Sequence, residues 1–331
     1  MPNPSSVSRR WLYIPWAIAA ILLLIYYGVW RYAANEMKTA VVDWAQAQES
    51  EGVSVTYDRI KASGFPFLLR VRIEQPSIDK PGEWRWRGDG ISLHAVPTNF
   101  NRIVMAPEGR QVGAYAGIGE WTLSGEDMRG SIAKDKALGW KAAVTLNNIS
   151  AHRDEDNALV NLKNLVLDLA PNASEITRIE LNAAATGFVF ASAEQEVALT
   201  QIRTTGAITQ THTLEGENSV ENWRRSGGVV FVDQLSANFD ADTSIAINGR
   251  VFIDTQKYPA GSLTAKIVNP GEITRALAEL KVIKGREAEA AATGLTFMAA
   301  AAGGKITLPI KLKNGQATLG GIPVGTLSKI E

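Results

Sequence analysis

The chain has 331 residues, 34 basic and 34 acidic side chains and no cysteine. That length supports one large or two modest domains whose cores need no covalent crosslink. The missing cysteines exclude disulfides, thiolate nucleophiles and Cys-ligated metals, and the balanced charge gives no overall pull toward nucleic acid.

The first strong signal is "WLYIPWAIAAILLLIYYGVW", Trp11 to Trp30, an uncharged run rich in Ile, Leu and Ala. As a helix it is roughly 30 Å long, the thickness of bilayer hydrocarbon. Trp11, Tyr13 and Trp16 lie at one end and Tyr26, Tyr27 and Trp30 at the other, as headgroup belts require. Pro15 falls near the first turn, where a lost N–H costs little. A cleaved signal peptide is the alternative, but the run is long for one and no small-x-small site follows. Arg9 and Arg10 precede the run, whereas Arg31 is nearly cancelled by Glu36 before Lys38. The expectation is a cytoplasmic tail over 1–10, a single transmembrane anchor over 11–30 and a body on the outer side of the membrane, which in a bacterial cell is the periplasm.

Trp30, Ala34, Met37, Val41, Trp44 and Gln48 keep a three-to-four spacing, predicting a helical stalk over 31–52 that docks on the body and stops at Gly52. Beyond it the period becomes two. Val53, Val55 and Tyr57 alternate with polar residues, and after the Gly64–Pro66 corner Phe67, Leu69, Val71 and Ile73 share one face. "EWRWRG", "GISLHAV", "KAAVTLNNIS" and "RIELNAAATGFVF" read as further strands, with "SGED" and "HRDEDN" as turns. Around Trp223 lies a short helical turn, then a Gly227–Gly228 break and a strand with Val230 and Val232. Asn248–Gly249 and Pro259–Ala260–Gly261 read as turns between later strands. Asn269, Pro270 and Glu272 mark a helix start whose stripe is Ile273, Leu277, Leu280 and Ile283. An Ala-rich helix follows over Glu287–Ala302, then a hairpin turning at Asn314–Gly315, with Pro309 pointing to an edge strand or an unpaired N–H. The fold class is mainly β: a long curved, mostly antiparallel sheet with a few packed helices over 53–331, preceded by one transmembrane helix.

Chemistry-bearing patterns are sparse. His94, His152 and His212 are scattered without metal-ligand spacing, and Asp154–Asp156 lacks the spaced oxygens of a calcium loop. "AAGGKITL" lacks the phosphate-loop spacing, and no Ser, His and Asp set reads as a triad. No catalytic residue, metal or cofactor is assigned, and the expectation is a protein that is not an enzyme. Trp84 and Trp86, alternating with Arg85 and Arg87, suit a half-buried strand or a lipid-facing one better than a nucleic-acid platform. A one-sided sheet must cover its apolar face, either with its own helices or with an apolar ligand. Phe65, Phe67, Leu69, Val71, Ile73, Trp84 and Trp86 are the lipid-contact candidates.

"VTYDRIKASGFPFLLRVRIEQP", Val55 to Pro76, closely resembles the opening motif of the bacterial DUF2125 family, and "GSLTAKIVNPGEITRAL" with "ITLPIKLKNGQATLGGIPVG" resembles its closing pattern. The stretch holding Gly227, Gly228, Asp254, Gly261 and Leu263 is similar to the AsmA-like superfamily. The resemblance implies an inner-membrane-anchored, periplasm-facing protein of a bacterial envelope. Longer AsmA-like proteins are linked to phospholipid movement, so the expected role is to bind or handle membrane lipid, with a phospholipid as the candidate ligand. It supplies no catalytic residues. The alternative is a non-enzymatic scaffold with an envelope protein partner.

Overall fold

In the computed structural model, residues 10–96, 99–135, 139–175, 177–193, 196–214, 218–271, 273 and 285–330 are described. The chain divides into two compact units, 1–109 and 110–331. The β-rich stretch expected over 53–331 therefore contributes part of the first unit and all of the second.

In the first unit, helix α1 runs unbroken from Arg10 to Ser50, so the predicted anchor and stalk are one helix. Its apolar part is long enough to cross a membrane. Strands β1 (Ser54–Thr56), β2 (Arg59–Ser63), β3 (Leu69–Glu74), β4 (Ser77–Lys80) and β5 (Trp84–Val96) follow. Glu74 pairs with Gly90 and Ser77 with Arg87 in one continuous register, so β3 and β4 are successive halves of one strand beside β5. The halves break at Gln75, which has φ 49°, and Pro76. In the same way β1 and β2 line the far side of β4 and β3. "EWRWRG" and "GISLHAV", expected as two strands, join as β5 because Gly90 keeps its pairing and the Gly88 N–H donates to the Pro76 carbonyl.

Leu69, Val71 and Ile73 are buried along β3 while Arg70 and Arg72 face water. α1 lies on the apolar side, and Trp30, Ala33, Ala34 and Met37 form a core with Leu69, Val71 and Ala95. The two alanines keep that helix face thin, so its backbone lies close to the sheet.

Strand β6 (Asn99–Tyr115) crosses the division between units. In the second unit β7 (Gly119–Ser124) and β8 (Asp127–Asp135) are successive parts of one strand beside β9 (Gly139–Arg153). From β9 the sheet is an antiparallel meander in sequence order. It comprises β10 (Ala158–Pro171), β11 (Ile179–Ala191), β12 (Glu196–Ile208), β13 (Val230–Asn238), β14 (Ser244–Ile253), β15 (Pro259–Val268), β16 (Lys305–Lys313), β17 (Gln316–Leu319) and β18 (Ile322–Thr326). Its registers line up Leu146, Leu165, Ala185, Ile202, Ala237, Ile245, Ile267 and Ile306 as one apolar row across eight strands. At the β15–β16 end that row is covered by helix α3 (Gly285–Ala301) through Leu295 and Ala299. Toward β9, Leu146, Leu165, Ile202 and Ala237 are half-buried and Ala185 is buried.

Helix α2 (Ser219–Arg225) is the turn expected at Trp223; the indole is buried and donates to the Thr209 carbonyl at 2.6 Å. Pro270, Gly271 and Ile273 are helical, and the rest of the helix predicted to Ile283 lies outside the described residues. The Asn269 side chain donates to the Asp242 carbonyl at 2.8 Å.

The Asn248–Gly249 turn does not form. Both residues lie inside β14, paired with Thr264 and Leu263. A Cβ on Gly249 would stand 2.6 Å from the Leu263 Cα, so this glycine permits close strand approach. Pro259, Ala260 and Gly261 belong to β15. The chain turns instead at Asp254, whose Oδ1 accepts from the Gln256 and Tyr258 N–H groups at 2.8 and 2.9 Å, an Asx-type device. The Asn314–Gly315 hairpin forms as expected, with φ of 52° and 73°. β16 is flanked by β15 and, over residues 310–313, by β17; Pro309, opposite Thr264, sits where that second flank ends, its carbonyl accepting from the Gly320 N–H at 2.8 Å.

Candidate functional site

All of the geometry that bears on function in the first unit is built on α1. Near residues 30–37 the helix seals the sheet. One row, Ala62, Val71 and Leu93, and the pair Leu69 and Ala95 lie against it. Farther along, Met37, Ala40, Val41 and Trp44 face two more sheet rows across a gap. One row is Val55, Ile78 and Trp86; the other includes Ile73 and Ile91. Tyr57, Pro76 and Leu93, with Ile103 and Met105 of β6, complete an open groove of about 460 Å³. That size lies within the range of ligand-holding clefts, roughly 300–1,000 Å³. None of its lining residues is charged.

The opposite face of the same strands carries the charges. Lys61 and Glu74 are 2.6 Å apart, Arg72 and Glu108 3.0 Å, and the Ser92 hydroxyl donates to Glu108. The Lys61 ammonium, hydrogen-bonded to Glu74 and reinforced by Arg59 and Arg72, holds that carboxyl below its ordinary range. Period-two alternation thus delivers a dry side under α1 and an ion-paired wet side.

The corner preceding β3 is tied to the end of the apolar run. Gly64 has φ 102°, and a Cβ there would come 2.5 Å from the Leu68 carbonyl oxygen, so only glycine fits. The Leu68 N–H closes the turn on the Gly64 carbonyl at 2.9 Å, and the Phe65–Pro66 bond is cis. The Tyr26 hydroxyl donates to the Pro66 carbonyl at 2.5 Å and the Trp30 indole to that of Leu68 at 3.1 Å. The Phe65 ring lies 5.3–5.9 Å from those of Tyr26, Tyr27 and Trp30, edge-on to the last two.

The seven lipid-contact candidates therefore part company. Ile73 and Trp86 line the groove. Leu69 and Val71 are fully buried beneath α1 and offer no surface to a lipid, a correction to the expectation from the face they share with Ile73. Phe65 packs on the anchor, and Phe67, 87% exposed, stands in the turn outside the strand to which its spacing assigned it. Trp84 is half-buried opposite Lys80, away from the groove lining. The sequence reading missed Ile103 and Met105 because Pro107 and Gly109 obscured β6, although the two alternate correctly. Val41 and Trp44 were legible as a stripe, but not as one wall of a gap.

Elsewhere, His152 near the end of β9 sits 3.4 Å from Asp154 of the turn that follows, and His94 and His212 lie on β5 and in a short 3-10 turn. Arg153 grips Asp156 at 2.6 Å, a hydrogen-bonded pairing that lowers the carboxyl and raises the guanidinium. Among the described residues no group of three His, Asp or Glu side chains is placed to hold a metal ion.

Compared with known families, the sequence matches DUF2125, described as an uncharacterized protein conserved in bacteria, over residues 30–328. No curated protein and no solved structure matches it.

Proposed function

The chain belongs to the DUF2125 family of bacterial proteins, and from that membership and its apolar helix, which make it a membrane-associated envelope protein, we propose that it shelters part of a lipid in the groove between α1 and the first sheet. The observation that carries this reading is a cleft of about 460 Å³ with no charged lining residue, whose wall is the continuation of the membrane helix itself. Met37 and Trp44 lie seven and fourteen residues past Trp30, roughly 10 and 21 Å along the axis. The groove therefore begins just beyond the headgroup layer on the side of the body. With Arg9 and Arg10 on the other side, the N-terminus is cytoplasmic and the body periplasmic.

Against water, about ten sheltered methylenes are worth about 8 kcal/mol. Against bilayer hydrocarbon they are worth almost nothing, because one apolar surrounding replaces another. A groove next to the membrane would thus take up and return an acyl chain at little net cost, which suits handling better than storage. A bound phospholipid places its chain in the groove and its headgroup at the open rim.

Ala40 is exposed and lines the gap, so Ala40→Trp fills the groove without removing core. Thr39→Trp, on an exposed neighbouring position, is the control for a bulky residue on the same helix. Lipid co-purifying in mild detergent, counted by mass spectrometry, should fall in Ala40→Trp and not in Thr39→Trp. Folded wild-type protein that comes out lipid-free, or equal lipid in both variants, would overturn the reading. Crosslinking that instead captures one discrete protein on the groove rim would point to the scaffold alternative.

A further inference from the structure

A second feature of the first unit points to the bilayer independently of the groove. Phe67 is a large apolar side chain, 87% exposed, at the tip of a turn that is otherwise fixed. What fixes the turn is the last stretch of the apolar run. Tyr26 and Trp30 are four apart, on one helix face, and donate to the carbonyls of Pro66 and Leu68 that flank Phe67 on either side. Phe65 is clasped by Tyr26, Tyr27 and Trp30. Those three aromatics are the belt that sits at the headgroup boundary when residues 11–30 span the membrane. Whatever depth the belt takes, the corner takes with it.

We propose that the Gly64–Leu68 corner is a second membrane contact, with Phe67 inserted into the boundary between headgroups and hydrocarbon beside the anchor. The partner is the phospholipid bilayer surface, argued from continuity with the anchor's own interface. Arg31, directly after Trp30, and Arg70, just after the corner, are both exposed and supply cations suited to headgroup phosphates. A lone transmembrane helix leaves a body free to swivel; a helix with a laterally displaced wedge does not. The corner thus sets the tilt of the first unit on the membrane, and with it the height of the groove wall that begins at Met37. The proposal rests on the anchor spanning the bilayer and does not need the groove to hold lipid.

The cysteine-free chain allows single-site labelling. Full-length Phe67→Cys, Thr39→Cys and Leu23→Cys would each carry a nitroxide in phospholipid vesicles, with collision rates measured for oxygen and a water-soluble nickel chelate. All three positions are exposed on the protein, so the label displaces no core. The Phe67 label should show an oxygen-to-nickel ratio well above that of Thr39 and closer to that of Leu23 in mid-span, since an aromatic-belt position lies at the headgroup boundary. A Phe67 label as open to nickel as Thr39, with Leu23 shielded, overturns the corner contact alone. A Leu23 label open to nickel overturns the anchor and the corner together.

Discussion

Leu69 and Phe67 lie two residues apart on one apparent sheet face, and their truncation should have opposite consequences. Leu69 has no solvent-exposed surface and touches a core made with Trp30, Ala33, Ala34, Met37, Val71 and Ala95. Leu69→Ala removes three carbons and leaves a cavity, a change that costs about 2–5 kcal/mol in buried cores. Three of the surrounding residues are alanines, whose methyl groups cannot swing into the space. The upper half of the range, about 4 kcal/mol, is therefore expected. Phe67→Ala removes an exposed ring and should change folding stability by no more than about 0.5 kcal/mol. Amide exchange in detergent micelles would read this directly. Opening that exposes β3 and the facing turns of α1 should become roughly a thousandfold more frequent in Leu69→Ala, since 1.4 kcal/mol is a factor of about ten. Unchanged protection in Leu69→Ala, or an equal loss in Phe67→Ala, would refute the claim that α1 seals this part of the sheet.

Two further outcomes test other parts of the fold. Gly64→Ala puts a methyl group 2.5 Å from the Leu68 oxygen at a φ of 102°, and should cost about 1–3 kcal/mol locally. The readout is the Trp30 indole proton, which should exchange faster as its acceptor shifts; an unchanged rate would mean the corner tolerates a side chain. In the second unit, hydrogen bonds from Arg224 and then Arg225 draw the Glu221 carboxyl down to about 2 from its ordinary 4.5. A depressed acid stabilises the fold above its ordinary value and loses that contribution as pH falls through the depressed one. Acid titration of unfolding should therefore show a loss between pH 4.5 and 2 that Glu221→Gln lacks, small in size because these are surface pairs. Identical slopes for the two proteins would remove the pair from the acid response.

Several features were determined by sequence alone. The uncharged run with aromatic ends specifies a membrane-length helix because hydrocarbon thickness and helical rise are fixed. Asn314–Gly315 specifies its hairpin because few residues adopt two successive positive φ angles cheaply. Alternation around Leu69, Val71 and Ile73 specifies a strand with a dry side. Asn248–Gly249 carries the same letters as the hairpin turn yet runs straight through β14, since Asp254 captures two N–H groups a few residues later and Leu263 needs the space above Gly249. Tertiary structure alone decided what lies over the dry side. α1 presses on Leu69 and Val71, stands away from Ile73 and Trp86, and holds Phe67 in a turn beyond the strand. Periodicity reports which way a side chain points from its own strand. Whether it meets a helix, a gap or a membrane depends on residues some forty positions away, and that distance carries no local signal.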